Sequence, residues 1–227
     1  MFSLLIAISL LLTGKRGPIL WIAIGFVVTY YVYNSNKKMS RLFKLFSLFI
    51  LIITLFLIGS TFIPGLNNFI VRFQEQIQAG DVSTHRYELW GMGGAGFVSS
   101  PIFGHGWFWF KYNNIFGTSY HVHNCYIQWL CELGIIGSLP FFIFIITVYS
   151  RAIKLIKKIS LGIITVDDKL VKILSFCLFY QTYFLIYCFA GTSFYEPETL
   201  LPWVFSSAII LYSWKKYKGA NMVDKRE

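Results

Sequence analysis

The stretch Leu133-Gly134-Ile135-Ile136-Gly137-Ser138-Leu139-Pro140-Phe141-Phe142-Ile143-Phe144-Ile145-Ile146-Thr147-Val148-Tyr149-Ser150 carries no charged side chain from end to end and is followed at once by Arg151 and Lys154. Wound as a helix at 1.5 Å per residue it reaches about 27 Å, close to the ~30 Å hydrocarbon thickness of a bilayer. Five more uncharged apolar runs flank it: Met1–Gly14, Gly17–Asn36, Leu45–Val71, Ile173–Tyr195 and Thr199–Trp214, the first and last of them short for a span. Over all 227 residues, 56% are hydrophobic, 19% aromatic and only 13% charged. A typical soluble chain carries about 25% charged residues, so a water-soluble globular domain is excluded. The expected fold is all-α, a polytopic membrane helical bundle of about six hydrophobic segments. Residues 1–227 form one membrane domain, with no internal repeat and no low-complexity tract.

The net charge of +10 resembles a nucleic-acid footprint until the basic residues are placed. All but five of the 20 lie in three clusters: Lys37–Lys44, Arg151–Lys172, and Lys215 to Arg226. Each cluster follows an apolar run, where Lys and Arg mark the cytoplasmic side and attract anionic lipid, so nucleic acid is not expected as a partner. With the clusters inside, residues 64–124 form an extracytoplasmic loop. The turns Thr13–Gly17 and Glu196–Glu198 face the same side. Cys125, Cys131, Cys177 and Cys188 lie in or beside the runs without CxxC spacing and read as small core residues rather than as a disulfide or metal site.

The remaining basic residues, Lys15, Arg16, Arg72, Arg86 and Lys111, and all four histidines, His85, His105, His121 and His123, fall on the expected outer side. Leu66, Phe69, Ile70, Phe73 and Ile77 recur at helical spacing and predict a helix lying on the membrane surface, with Arg72 on its wet face. A second external helix is expected to begin near Ser83 or Thr84 and to stop before Pro101. Gly91-x-Gly93-x-x-Gly96 within it matches a dinucleotide fingerprint in letters only, because no strand precedes it, and close helix packing accounts better for its small residues. His121-Val-His123-Asn124 stands where the loop re-enters the membrane. A neutral imidazole there, with an ordinary pKa near ~6.5, takes a proton from a hydroxyl at ordinary pH. Metal binding through His-x-His and simple interfacial anchoring are the competing readings. Glu132, inside the apolar run, needs a partner or a watery cavity.

Three motifs in order resemble the O-antigen ligase and O-antigen polymerase family of bacterial membrane glycan-transfer proteins. They are Thr13-Gly-Lys15-Arg16-Gly17; Arg86-x-x-x-Trp90 with Pro101-x-x-Gly104-x-Gly106; and His123-Asn124, nine residues, Gly134, two residues, Gly137. The family's first motif commonly has Ser where this chain has Lys15. The resemblance implies a cofactor- and metal-independent inverting glycosyltransferase in the bacterial inner membrane. It would take a glycan from undecaprenyl pyrophosphate at the outer leaflet and pass it to the hydroxyl of an acceptor glycan or lipid core. His123, Arg86 and Arg16 are the expected catalytic residues, with His121, Asn124, Lys15, Trp90 and Glu132 in support. Two arginines suit a pyrophosphate because each binds its oxygens bidentately. Repeat-unit polymerisation for O-antigen, capsule or exopolysaccharide is favoured over ligation to a lipid core. A carrier of lipid-linked sugars and an inactive C-terminal fragment stay open, since family members are about twice as long and the apolar run at Met1 is half a span.

Overall fold

The computed structural model describes residues 16–36, 85–114 and 121–218, with the isolated helical positions Lys44, Ser47, Gly59, Val71, Gln74, Glu75 and Gln78. Every regular element among them is helical: α1 (Arg16–Tyr33), α2 (Arg86–Ser99), α3 (Trp109–Asn113), α4 (Cys125–Ser160), α5 (Asp168–Ala190), a 3-10 turn (Ser193–Tyr195) and α6 (Pro197–Tyr217). The runs at Met1–Gly14 and Leu45–Val71 and the surface helix expected from Leu66 to Ile77 lie largely or wholly outside the described residues. The other four runs fall on α1, α4, α5 and α6. Of the described helices, α4 and α5 are long and apolar enough to cross a membrane, and α1 carries a shorter apolar stretch, Leu20–Tyr33.

Local chemistry sets the helix ends. Asn124 caps α4 by accepting from the backbone N–H groups of Tyr126 and Ile127, both at 3.1 Å, and Asp167 caps α5 by accepting from Leu170. Pro197 opens α6, where its missing N–H costs nothing. Helices α4, α5 and α6 pack on one another, α1 lies along α5 and α4, and α2 lies against α4. One apolar cluster joins Val148, Leu155, Leu178 and Ile210 towards the basic end, and another joins Trp129, Phe184, Cys188 and Trp203 towards the opposite end. Interhelical hydrogen bonds stitch the same helices together: Gln181 Nε2 donates to Ser206 Oγ and Ser207 Oγ, and Tyr126 OH to the Leu185 carbonyl. Such bonds substitute in a bilayer for the hydrophobic drive that lipid removes. Outward, α4 and α6 present Ile136, Ile143, Ile146, Leu201 and Phe205 uncovered, the pattern of lipid-facing surface.

Helix α4 is interrupted. Gly134 has φ 62° and ψ −170°, a conformation essentially confined to glycine. The turn after α2 inserts into the gap and takes over the interrupted hydrogen-bond ladder. His105 N–H donates to the Cys131 carbonyl and Gly106 N–H to that of Glu132, while Ile135 and Ile136 N–H donate to the carbonyls of Pro101 and Ile102. Four backbone groups that a break would leave bare are thereby paired, which is the condition for irregular backbone buried inside a bundle. The approach is so close that a Cβ on Gly104 would collide with the backbone of Glu132 and Gly134, and one on Gly134 with that of Ile102 and Gly104. The Pro101-x-x-Gly104-x-Gly106 turn and Gly134 are therefore two halves of one joint. Within α2, Gly93 meets Ile127 and Val122 and Gly96 meets Cys131, as close packing of small residues predicts; Gly91 and Gly94 face open space.

Candidate active site

The joint holds the loop from α2 to α4 against the bundle end opposite Lys157, Lys158, Lys215 and Lys216. Of the expected site residues, Arg86, Trp90, His121, His123, Asn124 and Glu132 lie among the described residues at that end. His123 immediately precedes the Asn124 cap, and its backbone sits in the left-handed region, φ 54°. Asn124 is buried and its side-chain oxygen is taken up in capping, which fixes the start of α4 next to His123. Arg86 is the first residue of α2, half-buried, and has no carboxylate partner among the described residues. The two are neighbours electrostatically. The pKa of His123 is lowered from 6.5 first by burial, then by the charge of Arg86 and by His121, with Glu196 opposing. Its imidazole has no hydrogen-bond partner among the described residues. A neutral imidazole in the field of a guanidinium can accept a proton where an anion is also attracted.

His121 is held differently. Gln128 Nε2 donates to His121 Nδ1 at 3.1 Å and to Glu132 Oε1 at 2.9 Å, while its Oε1 accepts from Val122 N–H. With Nδ1 accepting, the neutral ring carries its hydrogen on Nε2. Burial, then Lys111, lowers its pKa; the Gln128 bond and Glu196 oppose this. Glu132 is fully buried and receives a second hydrogen bond from Tyr195 OH at 3.1 Å, and the backbone amides of Phe108 and Phe110 also point at it. The costly charge in the apolar run is thus met by the bundle and by the inserted turn. Asn124, Gln128 and Glu132 recur at i, i+4 and i+8 on one helix face, the signal by which Gln128 is legible in the sequence.

Trp90 packs edge-on to Tyr87 and Phe189, with its Nε1 buried and unpaired among the described residues. Lys15 and the side chain of Arg16 lie outside the described residues; the backbone of Arg16 begins α1. Of the other histidines, His105 braces the inserted turn, with Nε2 2.8 Å from Ser99 Oγ and 2.9 Å from the Gly96 carbonyl, and its ring stacks on Trp109. His85 precedes α2 and pairs with Glu88 at 3.5 Å. Sequence reasoning missed Gln128, Tyr195 and Glu196. The carboxylate of Glu196 accepts from Tyr187 OH and Thr192 Oγ1. Tyr187 in turn stacks on Trp21 at 4.4 Å, tying α1 to this end. Among the described residues no three His, Cys, Asp or Glu side chains converge as metal ligands.

Among the described residues the chain is entirely helical, with two helices apolar enough to cross a membrane and histidines just ahead of the interrupted one, which is the form of a helical membrane protein. Residues 1–142 match the family model described as O-antigen ligase, and the chain belongs to that family. The match takes in Arg16, Arg86, both histidines, Glu132 and the joint, and stops short of Tyr195 and Glu196. No curated protein and no solved structure matches the chain. The family implies glycan transfer of the O-antigen ligase and polymerase type, with a lipid-linked glycan as substrate in a membrane setting.

Proposed function

We propose that this protein transfers a glycan from undecaprenyl pyrophosphate to the hydroxyl of an acceptor sugar at the outer face of the bacterial inner membrane, with inversion at the anomeric carbon. The observation that carries this reading is the His123 imidazole just before α4, without a hydrogen-bond partner among the described residues and in the field of Arg86 at the start of α2. In the reaction the acceptor oxygen forms a bond to the anomeric carbon as the bond to the pyrophosphate oxygen breaks. The leaving pyrophosphate keeps the electron pair, and the hydroxyl proton passes to His123. Arg86 and Arg16 bind the pyrophosphate oxygens, where charge grows as the bond breaks; a donor of this kind contributes on the order of 3 kcal/mol. His121, its hydrogen on Nε2, donates to the same anion, and Gln128 and Glu132 keep it in that tautomer. The outer-face assignment rests on the basic residues at the other end of the bundle.

Polymerisation of repeat units is the form proposed, and the size distribution of the product tests it. In cells lacking their own enzyme, expression of this chain is expected to give a ladder of surface glycan on a gel. His123→Ala at matched membrane level is expected to abolish it. Long ladders mark polymerisation and a single step onto lipid core marks ligation. A ladder that survives His123→Ala overturns the base assignment.

A further inference from the structure

Exposed apolar rings stand near His121. Trp107 and Phe108, between the inserted turn and α3, are 44% and 39% exposed. They pack against Tyr195, with ring centroids 5.3 Å and 5.9 Å away, and Tyr195 packs against His121 at 5.0 Å. Phe108 is held in the left-handed region at φ 64°, a conformation that costs a non-glycine residue energy and that concentrates at ligand clamps. The residue after Tyr195 is Glu196, whose carboxylate is oriented by the hydroxyls of Tyr187 and Thr192.

We propose that Trp107, Phe108 and Tyr195 form an aromatic shelf which, with Glu196 at its edge, binds a neutral sugar ring of the acceptor glycan. This rests on the transferase reading above and names the half of the site that reading leaves open. A pyranose has two kinds of surface, a C–H face that packs on aromatic rings and a rim of hydroxyls that donates to a carboxylate, and the shelf offers a partner for each. An acyl chain would set only apolar surface against the Glu196 carboxylate, and an anionic headgroup would be repelled by it. The shelf also lies against His121, two positions from His123, so a sugar on it holds its hydroxyl near the proposed base.

The test uses the full chain in lipid nanodiscs and, as probe, the repeat-unit oligosaccharide released by mild acid from the host's surface polysaccharide, free of lipid and pyrophosphate. Saturation-transfer NMR is expected to show contact with the sugar ring protons. Trp107→Phe, which keeps an aromatic face, is expected to retain binding. Trp107→Leu, which keeps apolar bulk, is expected to weaken it about tenfold, the size of one aromatic contact, and Glu196→Gln to weaken it as well. His123→Ala is expected to bind the probe normally while failing in glycan transfer. No saturation transfer with the native chain overturns the shelf, and so does Trp107→Leu binding as tightly as wild type, which would make the ring an interfacial anchor. If Trp107→Leu binds normally while His123→Ala abolishes transfer, the shelf falls and the transferase reading stands. If Trp107→Leu loses binding while His123→Ala still transfers glycan, the shelf stands and the base assignment falls.

Discussion

At the scale of single residues, His121 and His123 are two positions apart and have different surroundings. The ring of His121 is fixed through Gln128 to a buried carboxylate, while that of His123 has no hydrogen-bond partner among the described residues and feels the charge of Arg86. Removing the guanidinium with Arg86→Gln takes away the second cause of the lowered pKa, so the value for His123 is expected to rise towards 6.5, read by NMR titration of labelled histidine. The same variant should lose about a hundredfold in transfer rate. Since His123 acts neutral, transfer by the native protein is expected to be level above 6.5 and to fall as the pH drops through a value lower than that. Stability follows the same sign. The unfolded chain binds the proton more readily, so the contribution of these histidines is complete above 6.5 and is lost as the pH falls through their folded values. Thermal unfolding in detergent should show a smaller acid-induced loss for His123→Ala than for wild type.

At the scale of elements, the decisive feature is the joint between the Pro101–Gly106 turn and the break in α4. Its four exchanged backbone hydrogen bonds carry His105, Trp107 and Phe108 to their places and close the helix end above the apolar segment. Gly104→Ala and Gly134→Ala each force a Cβ into backbone and each burden a positive φ. Either is expected to cost on the order of 3 kcal/mol, seen as loss of folded protein by size-exclusion in detergent, whereas Gly94→Ala, facing open space, should behave as wild type. Asn124→Ala removes a cap that satisfies two N–H groups, and about 1 kcal/mol of stability should go with it. Transfer should fall further than that figure implies, because the cap also fixes the residue beside it.

At the scale of the whole molecule, the basic ends of α4 and α6 meet, with Lys158 Nζ donating to the Lys218 carbonyl, while the histidines occupy the other end. The four native cysteines are buried, so a single introduced thiol reports cleanly on sidedness. Tyr112→Cys, at a well-exposed position in α3, is expected to react with a membrane-impermeant maleimide added to intact spheroplasts, and Lys169→Cys only after the membrane is opened. The reverse pattern would place the histidines inside and remove the outer-leaflet reading.

The sequence alone determined what depends on composition and on local order. Uncharged runs imply helices in an apolar solvent, and Arg86, His121, His123 and Glu132 stand out because charged or titratable groups beside such runs need a reason; the clustered lysines give an orientation that the thiol labelling tests. The motif order led to the family, and the match to residues 1–142 bears that out. The partners of those residues were not legible. Tyr195 reaches Glu132 across 63 positions of chain, and Glu196 acts on both histidines from the turn after α5. Neither pairing leaves a periodic trace, because a hydrogen bond between elements depends on how helices lie together and not on spacing within one of them. The spacing of Gly104, Gly106 and Gly134 was visible, but its cause was not. Only the tertiary structure decided that two glycine-bearing segments complete each other's backbone, since a collision between main chains exists only once both are folded.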